Sequence, residues 1–570
     1  MDAAEVVGSA PPRQRSPAVR TVLAGACIGA LIPLAWLDPH QRQLPLYFSW
    51  LAAMVLYLLQ WRRPRGVIRW HPSPWLLAGL GLYGLTLFAL FCEVYGNWRW
   101  ALTGDSLYFY GIGEELARGN PAIGWLNVVG VFEQATVVQA TLQNAFMHIW
   151  PTLFGHRLGN LLTSTMVVGF AALLAGETSG ATAAVLLGLF LPLNRVFATF
   201  ALISYPNLSG VLPYYAAYAL FMVAWRVRHS DFLWAALGLA CGLALYFAPL
   251  WLGAVAIVSA LVVLFALRWR SPRAFVIWAG GGLVAGLPAL LQLPNLLHVW
   301  LIFRPTYGLS PAYVAHLAWQ TASLPFSGEL DAPWVTPPFG ALIVAGALLA
   351  AASGIAALRR RPRGRTLRHA WIWLALVAVD VVGLSLANSG YPSISLKRAI
   401  VLLPSLTFLL IVPLAWLSER VGRAWFTVVL AFATFVPYAY LNAMALWQHE
   451  AGFNIGDGLV RMVQTAPTPI LLVSPHPDLE KMFGQHPDPG GQADSDLLMQ
   501  RLYHLRDHII VRSSVPSERS EFNRVVCFSE HFDGQEWTTQ VRNAMARLCP
   551  NNPVQRITGQ LECVTCDPDH

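Results

Sequence analysis

Runs of about 20 apolar residues, separated by short clusters of arginine, recur along this chain and constrain its fold more than any other feature. Runs of that length cross a bilayer as helices, because hydrocarbon offers no partner to an open backbone. A large soluble core would not alternate with arginine in this way. Thirteen runs can be placed, near 21–37, 44–61, 74–93, 157–176, 181–199, 207–225, 231–247, 249–267, 274–293, 338–358, 370–388, 399–417 and 424–447. Only 12% of the 570 residues are charged, about half the share in a soluble domain. The expected fold is therefore mainly α, a polytopic transmembrane helix bundle.

The arginines orient it. Arg13, Arg15 and Arg20 precede the first run, and further clusters fall at Arg62/Arg63/Arg65/Arg69, Arg226/Arg228, Arg268/Arg270/Arg273, 359–368 and Arg420/Arg423. These segments all lie on one side if the N-terminus is cytoplasmic, and the opposite loops hold far fewer. The hairpin at 176–181 alone has no arginine on that side. The net charge of +8 thus reads as orientation in a multi-pass inner (cell) membrane protein, and no nucleic-acid partner is implied. No processing site follows the first run, so it is expected to stay as an anchor. The expected organisation is a cytoplasmic tail at 1–20, a membrane part at 21–447 with outer loops 94–156 and 294–337, and a periplasmic or extracellular region at 448–570.

That last region reads as a small α/β domain. Strands are expected at 469–474, 508–513 and 524–529, and helices at 493–506 and 535–548. Cys527, Cys549, Cys563 and Cys566 all fall here, where an oxidising compartment favours one or two disulfides, with three connectivities open. The Cys563-Val-Thr-Cys566 spacing admits redox or metal chemistry as the alternative. Cys27, Cys92 and Cys241 stand alone in apolar runs and read as small apolar residues. His476, His486, His504 and His508 match no zinc spacing, and no ligand pattern supports a metal. The region also offers a surface for a protein partner.

The loop 94–156 mixes acids and arginines with many aromatic and aliphatic residues, as suits a segment lying on a membrane. SLYFYGIGEELAR (106–118) reads as an amphipathic interfacial helix, with Asp105 at the N-cap, Gly119 just past the end and Pro121 beyond. A second helix is expected through 132–150, with Glu133 near its start. Asp105 as a plain helix cap is the simplest account of it. A carboxylate there is also placed to meet a hydroxyl or amine at the membrane surface. Glu114 and Glu115 read as the solvated face, and Trp98, Trp100, Trp125, Trp150, Trp319 and Trp334 as interfacial anchors. Asp380 lies within WIWLALVAVDVVG, where an acid is costly. It is expected either to serve function or to pair with a polar neighbour such as Arg195.

The stretch Gly104-Asp105-Ser106-Leu107-Tyr108-Phe109-Tyr110, running on as GIGEELARGN, resembles the first outer loop of the GT-C superfamily of membrane glycosyltransferases, which includes protein mannosyltransferases and aminoarabinose transferases. Asp105, Tyr108, Leu116, Ala117 and Gly119 match its Asp-Glu-x-x-Tyr and Leu-Ala-x-Gly pattern. WPTLFGHRLGNLLTS (150–164), ISYPNLSGVLPYYAAYALFMVAWR (203–226) and LKRAIVLLPSLTFLLIVPLAWL (396–417) resemble later segments of that family, in order, so the likeness runs over about 94–420. The chain departs from the pattern in three ways: Ser106 stands where a second acid is usual, Asn207 follows Pro206 in place of Asp or Glu, and one extra apolar run precedes the loop.

The resemblance implies transfer of a sugar from a polyprenyl-phosphate donor to a lipid, glycan or protein acceptor at the outer face. Asp105 would be the general base, Glu133 a second acid by position, and Lys397 and Arg398, with Arg304 behind them, contacts to the donor phosphate. Lys397 and Arg398 read equally as side chains reaching for headgroups. The partners implied are membrane lipids and the lipid-linked sugar, with no further cofactor. Two other readings compete. One is an inactive scaffold of the same shape, acting as a subunit or assembly factor. The other is a lipid or solute transporter, against which stand the scarcity of intramembrane charge and the lack of an inverted repeat.

Overall fold

In a computed structural model of the chain, the described residues are 43–62, 153–202, 207–247 apart from 228, 252–291 apart from 269, 310–327, 337–359, 364–387 and 399–453, then 470–473, 509–512, 525–529, 534–557 and 561–566, with a few isolated positions. The helices are α1 (Gln43–Leu59), α2 (Leu153–Ser179), α3 (Ala181–Phe190), α4 (Arg195–Leu202), α5 (Asn207–Arg226), α6 (Asp231–Phe247), α7 (Leu252–Arg268), α8 (Pro272–Leu291), α9 (Pro311–Ser327), α10 (Pro337–Leu358), α11 (Trp371–Ala387), α12 (Leu402–Val421) and α13 (Ala424–Phe453). Among the described residues, 7 helices are long and apolar enough to cross a membrane, and four shorter apolar helices accompany them. The expected runs at 21–37 and 74–93 lie outside the described residues.

Burial ranks the helices. In α5 and α12, 78% of the membrane-length stretch is buried, against 11% in α13. The first two therefore form the centre, and α13 shows most of its surface to lipid, with Phe432, Val436 and Tyr440 exposed.

Proline shapes the seams between helices. Pro288 inside α8 has no N–H, so the Val284 carbonyl four residues back loses its helical donor. The Trp50 indole of α1 donates to that carbonyl at 2.9 Å, and Tyr57 Oη donates to the Ile277 carbonyl at 2.6 Å. Together they lash α1 to α8. Pro413 likewise frees the Leu409 carbonyl in α12. There Gly346 of α10 comes so close that a Cβ on it would stand 1.8 Å from that oxygen. The α6–α8 seam is as tight, since a Cβ on Gly238 would lie 2.1 Å from the Trp278 carbonyl. Without a hydrophobic drive between helices in lipid, such close backbone packing holds them together.

The arginine-rich segments meet at one end of the bundle. Arg226, ending α5, makes two 2.8 Å bonds to Glu177 near the end of α2, and Arg273 of α8 pairs with Asp231 at the start of α6. Glu419 of α12 accepts the backbone N–H groups of Arg365 (2.6 Å) and Thr366 (2.9 Å) in a 3-10 turn at Arg365–Leu367. The Arg365 side chain lies over Gly180, between α2 and α3. So the hairpin at 176–181, with no arginine of its own, stands with the other arginine-rich turns.

One expectation is corrected. The run 181–199 is not one helix: α3 ends at Phe190, a 3-10 turn takes Leu191–Leu193, and α4 restarts at Arg195. Pro192 stands in the turn and Asn194 caps the restart. Within 294–337 the described residues form α9, packed against α11.

Beyond the bundle, β1 (Ile470–Val473), β2 (Ile509–Arg512), β3 (Val525–Ser529), β4 (Gln555–Arg556) and β5 (Leu561–Thr565) form a sheet in the order β2-β1-β3-β5-β4. The strands β2, β1 and β3 run parallel, and β5 is antiparallel to β3. The expected strands are in place, and β4 and β5 are additions. Helix α14 (Gly534–Leu548) packs Val541, Met545 and Leu548 on Leu471, Val473, Val526 and Phe528. Buried Glu562 on the same face receives Arg542 of α14, Nε to Oε2 at 2.6 Å. The expected helix at 493–506 lies outside the described residues.

Candidate active site

Asp105, Tyr108, Glu133, Arg304, Lys397 and Arg398 lie outside the described residues. What is described is the framework that these segments join. Loop 94–156 runs into α2, and Lys397-Arg398 immediately precede Ala399, Ile400 and Val401, each fully buried, where α12 begins.

The first turns of α2 carry Arg157 and Asn160, 1% and 0% exposed. The Asn160 amide donates to the carbonyls of Phe200 (2.7 Å) and Ala201 (2.8 Å). These belong to the last turn of α4, where carbonyls have no helical donor. At the other end of α4, Asn194 Oδ1 accepts the N–H groups of Val196 (3.0 Å) and Phe197 (3.2 Å), an N-cap. Two asparagines on different elements thus stabilise an eight-residue helix that would otherwise leave buried backbone unpaired. α13 holds the break from the side. Asn194 donates to Tyr438 Oη at 3.1 Å, and Asn442 Oδ1 accepts the Arg195 N–H at 2.9 Å. Arg195 is 6% exposed. Two guanidinium-bearing residues, Arg157 and Arg195, are thereby buried on α2 and α4, which pack together beside the end of loop 94–156.

The sequence reading passed over this corner. Arg157 and Asn160 stood inside the quoted WPTLFGHRLGN stretch, but only as part of a pattern. Asn194 directly after a Leu-Pro-Leu in an apolar run was the available signal for a helix restart.

Asp380 sits midway along α11, 3% exposed, and its Oδ1 accepts a hydrogen bond from Tyr214 of α5. The polar neighbour expected beside Asp380 is therefore Tyr214, while Arg195 stands at the start of α4. Tyr214 packs edge-on against Tyr215 and Tyr218, with ring centroids 5.2 and 4.9 Å away. Tyr215 Oη donates to the Val401 carbonyl of the α12 approach at 2.9 Å and shares a hydrogen with Ser405 at 3.0 Å. Trp373 stacks on Phe408 and donates to Thr178 at 2.9 Å. Asp380 is one member of a polar cluster tying α5 to α11 and α12.

The four cysteines beyond the bundle form two disulfides, Cys527–Cys563 and Cys549–Cys566. Cys563 and Cys566 have different partners, so the Cys-Val-Thr-Cys spacing is neither a redox pair nor a metal site here. The first bond joins directly opposed residues of β3 and β5, and the second ties the end of α14 to the end of β5. Among the described residues, no group of three or more His, Cys, Asp or Glu could hold a metal ion.

No family model matches the chain, and no curated protein matches it. Among solved structures, it is similar to two crystal structures of ArnT from Cupriavidus metallidurans. Against the one bound to undecaprenyl phosphate, identity is 15% and the TM-score 0.42, over 86% of this chain and 98% of that one. Against the apo form, identity is 15% and the TM-score 0.44, over 86% of this chain and 100% of that one.

Proposed function

We propose that this chain is an integral membrane glycosyltransferase that moves a sugar from a polyprenyl-phosphate donor to a lipid, glycan or protein acceptor at the outer face. The observation that carries the reading is the sequence of the Asp105–Gly119 stretch, which places a carboxylate at the N-cap position of an expected interfacial helix between long apolar runs. The matching segments at 150–164, 203–226 and 396–417 support it by their order.

In this reading the acceptor O–H or N–H attacks the anomeric carbon. Its proton passes to the Asp105 carboxylate, which needs only hydrogen-bond reach. The bond from that carbon to the phosphate oxygen breaks, and the electron pair leaves with the lipid phosphate. Cations stabilise that leaving group. Lys397 and Arg398 are suited to this, because they precede a helix fixed in the bundle centre, and Arg304 is a third candidate. Helix α2, which the loop runs into, is held to α4 by Asn160.

The test is Asp105→Asn in the purified, well-folded full chain. Transfer should be lost while the melting temperature is unchanged; an active Asp105→Asn enzyme refutes the assignment. A specific observation favours one competitor, an inactive scaffold: Ser106 replaces the usual second acid, and Asn207, which opens α5, replaces another. On that reading Asp105→Asn is silent, and removal of 448–570 breaks up a complex recovered by gentle solubilisation.

A further inference from the structure

The arginine-rich end of the bundle is not electrically uniform. Arg226 and Arg273 have carboxylate partners, Glu177 and Asp231. Around the ends of α10 and α12 and the starts of α11 and α13 the balance differs. Arg359, Arg365, Arg368, Arg420 and Arg423 are all exposed, and none of their guanidinium groups is in a salt bridge among the described residues, with Glu419 the one carboxylate near Arg365. The one acid among them, Glu419, has both oxygens engaged by the N–H groups of Arg365 and Thr366. Among the described residues, five arginines against that one acid leave an excess of four positive charges (5 − 1) on these turns.

The turns are fixed relative to one another. Glu419 holds the 3-10 turn to α12, and Ser353 of α10 donates to the Leu367 carbonyl. Arg420 lies over the Trp416 ring, 5.3 Å from its centroid. Immediately beside the charges come exposed apolar side chains: Leu358 (87%), Leu417, Val421, Trp371 and Trp425 (59%). A phosphopeptide or a nucleic acid would use the charge and leave this apolar rim wet. A ligand with an anionic head and acyl chains uses both, and exposed tryptophan at a helix end marks the depth at which such heads lie.

We infer that the ends of α10 to α13 form a binding site for an anionic phospholipid, with its phosphate among Arg365, Arg368, Arg420 and Arg423 and its chains along α12 and α13. The site lies at the C-terminal end of α12, whereas Lys397 and Arg398 precede its N-terminal end in sequence, so it is separate from the proposed donor contacts. Its occupant would brace the α12–α13 corner, where α12 ends in a left-handed Gly422 and α13 is otherwise little supported.

The test uses the purified full chain in mixed micelles, with bound lipid read by native mass spectrometry. Dioleoylphosphatidylglycerol should be retained at least about tenfold more than dioleoylphosphatidylcholine, given the contribution of each basic residue near a headgroup. R365Q/R368Q/R420Q/R423Q should lose that preference, and R268Q/R270Q, at another turn on the same end, should keep it. If the quadruple variant fails to fold, R368Q/R423Q, at two exposed side chains, should still cut the preference several-fold. The deacylated headgroup glycerophosphoglycerol should not compete. Equal retention of the two lipids, a foldable variant that binds like the parent, or competition by the free headgroup would each overturn the inference.

Discussion

Tyr214→Phe tests the polar cluster at the bundle centre. The substitution keeps the ring and its packing against Tyr215 and Tyr218 and removes one oxygen. Asp380 then stays 3% exposed with neither carboxyl oxygen bonded within the described residues, because Oδ2 has no partner there and Oδ1 has only Tyr214. Two magnitudes compete. A hydrogen bond between membrane helices contributes about 0.6 kcal/mol on average and up to about 1.7 kcal/mol. Leaving a buried polar group without a partner costs about 1–3 kcal/mol. The second governs, since Asp380 sits midway along α11 and cannot reach the water at either end. Tyr214→Phe should therefore destabilise the full chain by about 2 kcal/mol.

Asp380→Asn keeps an oxygen for Tyr214 and should cost under about 1 kcal/mol. Y214F/D380L removes both polar groups and should recover most of the loss, so the two sites couple strongly. The assay is unfolding of the detergent-purified chain, followed by helical circular dichroism against added SDS. A Tyr214→Phe protein as stable as the parent refutes the reasoning. So does a double variant whose loss equals the sum of Tyr214→Phe and Asp380→Leu, because the bond would then carry nothing. A transporter that used Asp380 would lose flux in Asp380→Asn vesicles even with stability kept.

Three further outcomes are expected. Gly346→Ala should cost about 1–3 kcal/mol by overpacking, since its Cβ would meet the Leu409 carbonyl at 1.8 Å; thermal melting of the full chain measures it. Asn194→Ala removes the cap of α4 and should cost about 1 kcal/mol, read in the same melting experiment. In the chain-entropy account, opening Cys549–Cys566, which spans 17 residues, removes about 3 kcal/mol from the C-terminal sheet, and opening Cys527–Cys563, which spans 36, about 4 kcal/mol. Limited proteolysis with and without reductant should show cleavage within 525–566 rising sharply while the helices stay protected.

The legible parts of the fold carry their own end markers. α6 runs over 231–247 as expected, because Asp231 opens an unbroken apolar run. α5 and α10 agree within a residue for the same reason. Leu-Pro-Leu-Asn marks the break between α3 and α4, but what satisfies its backbone is not legible. A proline in a membrane helix is tolerated if neighbours re-satisfy the backbone, and the sequence of 181–199 does not disclose that Asn160 and Asn442 do this from elsewhere. The partner of Asp380 was hidden likewise. Tyr214, Tyr215 and Tyr218 in one apolar run were a sign that a polar group faced them, but nothing local said which. The candidate catalytic residues remain a reading of sequence, since Asp105, Glu133, Lys397 and Arg398 lie outside the described residues.

These cases share a cause. Several backbone irregularities in the bundle are met by side chains from distant helices: the carbonyl freed by Pro288 by Trp50, the last turn of α4 by Asn160, and the Arg195 N–H at its start by Asn442. In lipid no water can take that place, so every partner becomes a specific tie between helices. Of the tied helices, α2 follows the loop 94–156 in sequence and α12 follows the Lys397-Arg398 segment. A transferase needs its base and its phosphate contacts held to a fraction of an ångström while a lipid substrate enters from the side. On the proposed transferase reading, a rigid centre of tied helices, with the candidate residues on the segments that join them, meets the first need. Loosening one tie, as in Asn194→Ala, should thus lower kcat more than it raises KM for the donor.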